Sequence, residues 1–370
     1  MVNVMLAGGL ALLVSLLGTP LFVRFLTRRG YGQPIHDDLT LHHVKRGKPT
    51  MGGAVVIGAA LVGYFGSHLA VLGIEAGDIG QVTSDPVSLS ALLVLFLLVG
   101  LGAVGFLDDF TKIRAERSLG LTSRQKLAGQ TVVTIAFAAM ALWVTDDSGR
   151  APASTAISFV RDTPLDLAVA GPALGALLFL LWANVLITGA SNGVNLTDGL
   201  DGLATGTSVM VFGAYTMISL WQHNENCSVA PGPGCYPTPN ALDLAVVAAA
   251  VAGACFGFLW WNAAPASIIM GDTGSLSLGG ALAGLAVLTR TELLLAVLGG
   301  LFVVITLSVV IQVASFKLRG KRVFRIAPLH HHFEVVGWAE ITIVIRFWIV
   351  AGIFVLAGLA LFYGEWVVGT

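Results

Sequence analysis

The chain has 370 residues, of which 56% are hydrophobic and 11% are charged, and its mean hydropathy is +0.85. Soluble globular domains carry about 25% charged residues. This composition therefore excludes a water-soluble globular protein. The formal net charge of −1 says little by itself, and three cysteines exclude a disulfide scaffold. The N-terminus lacks a short apolar core with a small-residue cleavage site, so the first apolar stretch is predicted to be a retained membrane helix.

Nine apolar segments are each long enough to form a membrane helix of about 20 residues, and we count a tenth, shorter segment with them. These segments are 2–25, 52–74, 87–107, 127–144, 165–187, 203–221, 242–261, 275–289, 293–316 and 341–362. The eighth is short and rich in glycine and alanine, so we interpret it as a span buried among the others. The sequence therefore predicts an all-α polytopic membrane protein, with a single integral-membrane domain over residues 1–370.

The basic residues orient these ten spans. With both termini outside, the loops on the inner side hold all but three of the 20 Lys and Arg residues. The exceptions are Arg150, Arg161 and Arg290. Because an excess of Lys and Arg marks the cytoplasmic side, we expect both termini to be periplasmic. Cys227 and Cys235 then fall in an outward loop, where the sequence leaves a disulfide between them open.

The inner end of the third span carries two adjacent aspartates, Asp108 and Asp109, followed by Lys112. Asp108 and Lys112 share a helical face if the helix continues that far, because they are four residues apart. Adjacent carboxylates repel each other, so a cation is needed nearby, and either Lys112 or a metal supplies it. The alternative is a polar helix end with a surface ion pair.

The junction of the fifth and sixth spans is the second acidic segment. It contains Asn195, Asp198 and Asp201, together with two glycines that permit tight backbone turns. A helix start needs one capping aspartate at most. The surplus of polar groups favours a functional site over a cap.

A third acidic segment precedes the short eighth span. Asp272 stands there after Gly271, and Asn262 directly follows the seventh span. Carboxylate oxygens suit Mg²⁺, which commonly takes one or two carboxylates together with substrate phosphates. The alternative is that Asp272 caps a helix, and both interpretations can hold together.

Two basic segments also lie on the inner side. His330, His331 and His332 are consecutive, so they cannot all face one ion in regular structure, and no cysteine accompanies them. We therefore favour a role in orienting an anionic substrate over a zinc site. Lys45 and Thr50 belong to a basic, glycine-rich approach to the second span, which can hold phosphate or simply anchor a cytoplasmic loop.

Acidic groups that could bind Mg²⁺ and basic groups that could bind phosphate thus share one membrane face. This combination fits phosphoryl transfer, in which metal ions and cationic side chains neutralise the developing charge. Polar residues at membrane depth are costly and mark functional sites by default. The position of these groups at the bilayer edge indicates that one substrate is a lipid.

At these motifs the chain resembles the polyprenyl-phosphate N-acetylhexosamine-1-phosphate transferase superfamily, and most closely its phospho-N-acetylmuramoyl-pentapeptide transferase branch. The resemblance spans nearly the whole chain and includes the ten-span plan. The motifs that carry it are Pro49–Gly53, Asp108–Lys112, Asn195–Gly202, Met270–Ser275 and His330–Glu334. The Lys after the Asp pair and the triple His favour the muramoyl branch over the GlcNAc-1-phosphate branch.

The resemblance implies a reaction in the bacterial inner membrane. Phospho-MurNAc-pentapeptide would pass from UDP-MurNAc-pentapeptide to undecaprenyl phosphate, giving lipid I and UMP, with Mg²⁺ as cofactor. The resemblance also implies a homodimer in the lipid bilayer and no nucleic-acid partner.

The resemblance implies unequal roles for the motif residues. Asp272 resembles the magnesium ligand, and Asp108 resembles the carboxylate that deprotonates the lipid phosphate, with Asp109 supporting it. Asp272 and His331 complete the expected catalytic set. The expected substrate-binding residues are Lys45, Thr50, Lys112, Lys126, Asn195, Asp198, Asp201, Asn262, Gly271, His330 and His332.

Two other functions remain open at this point. One is transfer of GlcNAc-1-phosphate from UDP-GlcNAc to the same lipid. The other is ion-coupled transport with Asp108 and Asp272 as cation sites, although transporters usually bind at the bilayer midplane, whereas these aspartates lie at one edge.

Overall fold

A computed structural model describes residues 1–31, 48–76, 87–115, 120–146, 149–228, 230–232 and 234–369 of the chain. Within these ranges the fold is nearly all-α, as the sequence predicts. The helices are α1 (Val2–Arg28), α2 (Gly53–Ala76), α3 (Leu89–Arg114), α4 (Ser123–Trp143), α5 (Pro172–Thr197), α6 (Leu203–Asn224), α7 (Ala241–Asn262), α8 (Gly271–Leu288), α9 (Glu292–Leu298), α10 (Gly300–Arg319), α11 (Leu329–Val336) and α12 (Glu340–Gly369).

Across the described ranges, nine helices are long and apolar enough to cross a membrane, namely α1 to α7, α10 and α12. The short span of the sequence analysis corresponds to α8, whose glycines and serines lower its hydropathy. Every residue of α8 from Thr273 to Leu288 is buried, and the helix packs on α2, α3 and α5. It is therefore a central helix enclosed by protein.

Two predicted spans have different bounds in the structure. Residues 165–171, assigned to the fifth span, instead belong to a hairpin and a 3₁₀ turn, and α5 begins at Pro172 and runs to Thr197. Pro172 occupies the first turn, where its missing N–H leaves no bond unmade. The ninth span, 293–316, is broken into α9 and α10 at the glycines that join them.

The hairpin is a feature that the all-α prediction did not include. Strands β1 (Ala156–Ser158) and β2 (Asp162–Asp166) pair in antiparallel fashion. The backbone N–H of Ser158 donates to the carboxylate of Glu292 at 2.7 Å, and both residues are buried. This contact ties the hairpin to the start of α9.

The loop between α6 and α7 contains a disulfide between Cys227 and Cys235, the pairing that the sequence left open. The guanidinium of Arg161, in the hairpin turn, donates to the carbonyl oxygens of Gly234 and Cys235 and to the carboxylate of Glu365 in α12. The hairpin, the disulfide loop and the end of α12 are thereby joined at one end of the bundle.

The start of α2 lies against the start of α8 with no intervening side chain. A Cβ atom added to Gly53 would lie 2.0 Å from the backbone nitrogen of Gly274. Small residues at helix crossings permit such close backbone contact in membrane proteins. This contact accounts for the second glycine of the Pro-Thr-Met-Gly-Gly motif.

We expect Gly53→Ala to lower the thermal unfolding temperature strongly, because the added methyl group forces α2 away from α8 at a cost of about 3 kcal/mol. Gly58→Ala in the same helix is the matched control, since a Cβ at Gly58 meets no atom within 4 Å. Alanine should there stabilise the helix by about 0.5–1 kcal/mol. Unfolding of both variants in detergent micelles measures the difference, and equal unfolding temperatures would contradict the packing argument.

Candidate active site

Helix α3 continues beyond the apolar span and carries both aspartates to its inner end. Asp108 and Asp109 are each 3% exposed. Because Lys112 is one turn further along, its Nζ lies 2.6 Å from Oδ2 of Asp108. Oδ1 of Asp108 accepts a hydrogen bond from the backbone N–H of Leu121 at 2.8 Å, just before α4 begins. One carboxylate therefore joins the end of α3 to the start of α4.

Asp272 lies in the first turn of α8 and meets groups from three other helices. Its Oδ2 atom lies 3.0 Å from Nζ of Lys112 in α3 and 2.7 Å from Nζ of Lys126 in α4. Its Oδ1 atom accepts a hydrogen bond from Nδ2 of Asn195 in α5 at 2.7 Å. The same amide group of Asn195 also donates to Oγ of Ser275 at 2.8 Å. The structure thus brings four predicted site residues into one cluster.

Asp109 contacts the backbone at the start of α8. Its carboxylate accepts hydrogen bonds from the N–H of Asp272 at 3.2 Å, the N–H of Thr273 at 2.9 Å and the hydroxyl of Thr273 at 2.7 Å. The first amides of a helix have no partner within the helix, so this carboxylate caps α8 from another helix. Gly271 has φ +75°, and a Cβ there would lie 2.7 Å from Oδ2 of Asp109, which excludes a larger residue.

Asp108, Asp109 and Asp272 each offer a carboxylate oxygen, and these oxygens lie within 4.8 Å of one another. Hard oxygen donors at this spacing suit Mg²⁺. Lys112 and Lys126 place two positive charges beside the three negative ones. The donor set therefore fits a divalent cation, with the two lysines available to an anionic ligand.

The segment that contains Thr50 lies beside this cluster on the residues that precede α8. Three backbone hydrogen bonds of 2.9 Å join Pro49, Gly52 and Gly53 to Ile269 and Met270. Thr50 is buried, and its hydroxyl lies near Gly271. The motif is thus a backbone brace for the start of α8. Lys45, predicted to bind substrate, lies outside the described residues.

Two predicted substrate-binding residues bond to the protein itself. Oδ2 of Asp201 accepts a hydrogen bond from the N–H of Ala266 at 2.9 Å and lies 3.6 Å from Nζ of Lys48. Asn262 accepts from the hydroxyl of Thr205 at 2.6 Å and donates to a backbone carbonyl at 3.0 Å. Both side chains hold the 263–270 loop that leads into α8, and a role in substrate binding stays a prediction for them.

Asp198 ends α5, three residues beyond Asn195, at the turn that leads into α6. The adjacent Gly199 lies against the histidine helix, since a Cβ there would be 2.3 Å from Nε2 of His330. This turn therefore connects the aspartate cluster with α11. The role of Asp198 at the nucleotide stays a prediction.

The three histidines belong to α11, and each has different surroundings. His330 is fully buried, Nδ1 of His331 lies 2.5 Å from Oε2 of Glu334, and Nδ1 of His332 accepts a hydrogen bond from the N–H of Arg325 at 3.1 Å. The aspartates form the metal-compatible group found in the described part of the chain. The role of the histidines in orienting an anionic substrate stays a prediction.

Sequence reasoning did not assign roles to Thr273, Ser275 or Glu334. Thr273 bonds the carboxylate of Asp109, Ser275 bonds Asn195, and Glu334 pairs with His331. All three stand within motifs that were recognised from the sequence. Their spacing from Asp272 and His331, at one to three residues within a helix, is the signal that could have found them.

We expect Asp109→Asn to lower the free energy of unfolding by about 2–3 kcal/mol, because an amide cannot replace a buried carboxylate that accepts several hydrogen bonds. Asp166→Asn is the matched control, since Asp166 also accepts from a backbone N–H and a threonine hydroxyl but is exposed. Denaturation in detergent measures both variants. The capping role would be contradicted if Asp109→Asn lowered the free energy of unfolding no more than Asp166→Asn does.

Comparison with known proteins identifies the group to which this arrangement belongs. A family model described as glycosyl transferase family 4 matches residues 91–290. Proteins named phospho-N-acetylmuramoyl-pentapeptide-transferase are similar over nearly the whole of both chains: that of Beutenbergia cavernae is 57% identical over 372 residues, covering 100% of each chain, and that of Kineococcus radiotolerans is 59% identical over 372 residues, covering 99% of each. The resemblance inferred from the motifs is confirmed: the chain belongs to glycosyl transferase family 4 and, within it, to the phospho-N-acetylmuramoyl-pentapeptide-transferases.

Proposed function

We propose that this chain transfers phospho-MurNAc-pentapeptide from UDP-MurNAc-pentapeptide to undecaprenyl phosphate, giving lipid I and UMP. The observation that carries the proposal is the partly buried cluster of three carboxylates and two lysines at one end of the apolar helices. The relatives' names supply the sugar substrate. The chain is a multi-pass protein of the bacterial cytoplasmic membrane, so both the lipid and a soluble nucleotide can reach such a site.

The ten-span arrangement remains part of this proposal. Counting α8 as a span gives ten crossings, with α9 and α10 together as the ninth, and puts both termini on the periplasmic side. The basic ends of α3 and α10 support a cytoplasmic position for the aspartate cluster, since Lys and Arg favour that side. Residues 1–370 act as one membrane domain, and we expect two copies to form a homodimer.

Asp272 would hold Mg²⁺, with Asp108 and Asp109 within reach of the same ion. The ion, when bound, supplies positive charge to the phosphates that react. Mg²⁺ usually keeps several waters and needs few protein carboxylates, and this agrees with one first-turn aspartate as its main protein ligand.

Asp108 is the proposed base. It takes the proton of the lipid phosphate, whose oxygen then attacks the β-phosphorus of the UDP-sugar. The new bond joins that oxygen to the β-phosphorus, and the bond between the β-phosphorus and the bridging oxygen breaks. UMP leaves with the electron pair. Lys112 and Lys126 lie where they can neutralise charge on the phosphates as the bond breaks, and His331 is proposed to face the same phosphates.

The direct test of the function is turnover by the purified protein with undecaprenyl phosphate and Mg²⁺. We expect UMP and a lipid-linked sugar from UDP-MurNAc-pentapeptide and no product from UDP-GlcNAc. Omission of the lipid phosphate is the control and should stop UMP release. Turnover with UDP-GlcNAc alone would replace this proposal with GlcNAc-1-phosphate transfer, and ion-driven uptake into proteoliposomes without UMP release would replace it with transport.

The two aspartate roles are separable by substitution. We expect Asp272→Ala to lower turnover by at least about 100-fold and to abolish the rise in unfolding temperature that Mg²⁺ alone produces, because the metal ligand is lost. Asp108→Asn should keep the Mg²⁺-dependent rise and UDP-sugar binding while lowering kcat, because an amide cannot accept the proton.

Asp166→Ala is the control for general effects of removing a carboxylate, since Asp166 is exposed in the hairpin. It should retain both turnover and the Mg²⁺ response. Wild-type turnover of Asp272→Ala at low Mg²⁺ would show that another residue is the metal ligand. Weakened UDP-sugar binding with normal kcat in Asp108→Asn would remove Asp108 from the role of base.

A further inference from the structure

A second polar layer lies beneath the aspartate cluster, within the apolar part of the bundle. It consists of the Gln130 side chain in α4, the Ser191 side chain in α5 and the Leu276 carbonyl in α8, each four residues from Lys126, Asn195 and Asp272, respectively. Because four residues make about one helical turn, each pair lies on the same face of its helix. The two layers therefore involve the same three helices.

Hydrogen bonds connect this second layer across all three helices. Nε2 of Gln130 donates to Oγ of Ser191 at 3.1 Å, and Oγ of Ser191 donates to the carbonyl oxygen of Leu276 at 3.0 Å. Oε1 of Gln130 accepts from Nδ2 of Asn192 at 3.2 Å. Gln130 and Ser191 are both 0% exposed. Both Nε2 and Oε1 of Gln130 therefore have a partner within the protein, and these partners define the orientation of the amide.

The helices approach so closely here that the layer has little freedom to shift. A Cβ atom added to Gly279 in α8 would lie 2.4 Å from the carbonyl oxygen of Ala190 and 2.5 Å from Cα of Ser191. Backbone contact of this kind lets the short serine side chain reach the neighbouring helix. A rotation of α5 or a shift along its axis would break the bond to Leu276.

The aspartate cluster needs α4, α5 and α8 to be held in fixed positions. Lys126 and Asn195 contact opposite oxygens of Asp272 at 2.7 Å each, so small movements of α4 or α5 would change both contacts. Lysine side chains are flexible. A bound cation would compete with the lysines for the carboxylates, and phosphates would compete with the carboxylates for the lysines. The neutral layer below is buried and carries no charge that a ligand would attract.

We propose that Gln130 and Ser191 are positioning residues, which hold Lys126 and Asn195 in register with Asp272 and thereby set the metal affinity and turnover of the site. This inference rests on the proposed function, because it assigns to the second layer an effect on that same site. Groups that orient the direct ligands of a metal typically change metal affinity or activity 10- to 100-fold when they are removed.

The test uses the full chain in detergent micelles, with Gln130→Leu, which keeps the volume but removes both hydrogen bonds, and the milder Ser191→Ala. Two quantities are measured: the Mg²⁺ concentration that half-saturates the rise in unfolding temperature without substrates, and kcat in the transferase assay. We expect Gln130→Leu to raise the half-saturating Mg²⁺ concentration by about tenfold and to lower kcat by about tenfold. Ser191→Ala should shift both in the same direction.

Matched controls separate positioning from loss of stability. Gln222 is also fully buried and donates to a backbone carbonyl at 2.8 Å, but it lies at the opposite end of α6 from the site. Ser208 is also fully buried, and its distance from the inner end of α6 is about the same as that of Ser191 from the inner end of α5. Within the described ranges, the hydroxyl of Ser208 has no hydrogen-bond partner. Gln222→Leu and Ser208→Ala should leave the half-saturating Mg²⁺ concentration and kcat unchanged.

The inference would be overturned if Gln130→Leu and Ser191→Ala both lowered the unfolding temperature but kept the wild-type Mg²⁺ response and the wild-type kcat. The second layer would then only stabilise the fold. If Gln130→Leu does not fold, Ser191→Ala decides by the same two quantities. Failure of the wild-type protein to release UMP would instead reject the proposed function. The wild-type assay thus separates the two outcomes.

Discussion

The hydrogen bonds between Asp109 and the start of α8 are the interaction on which the site depends. A helix start presents unpaired N–H groups and partial positive charge, so a carboxylate there is favourable. In this chain the carboxylate belongs to α3, 163 residues away in sequence from the Asp272 amide that it binds. Because Asp272 stands at this helix start, the position of its own carboxylate follows from the contact made by Asp109.

Two neighbouring lysines offset part of the negative charge of the aspartate cluster. Asp108, Asp109 and Asp272 would repel one another strongly in an apolar bundle, and burial of an unpaired charge is costly. Lys112 lies within 4 Å of all three, and Lys126 within 4 Å of Asp272. The lysines can therefore hold the acidic centre together and still contribute positive charge to a phosphate that approaches it.

Much of the fold could be predicted because hydropathy and charge report directly on membrane helices. The i, i+4 spacing of Asp108 and Lys112 also predicted their pairing, on the condition that α3 continued past the apolar span, as it does. Motif resemblance grouped the aspartates at one site. Spacing within one segment was sufficient for the pairing of Asp108 with Lys112, whereas the grouping of the aspartates came from the motif resemblance.

The rest of the fold and of the site depends on contacts between segments that are distant in sequence. The spacing of residues within a segment gives no information about such contacts. The capping of α8 by Asp109 and the backbone bonds that brace Pro49–Gly53 join parts of the chain that no local pattern connects. The hairpin was missed because its strands are short, and the last two residues of β2 were counted with the apolar run that follows them. The carboxylate of Asp201 accepts a hydrogen bond from a backbone amide that local spacing did not indicate, and its role in substrate binding stays a prediction.

The burial of α8 along nearly its whole length also has a consequence for how the surrounding membrane acts on the site. From Thr273 to Leu288 the helix that carries the proposed metal ligand is buried, and it packs on α2, α3 and α5. The lipid bilayer therefore acts on this helix through its neighbours and not by direct contact. A change in the thickness of the bilayer would reach Asp272 by moving α2, α3 or α5.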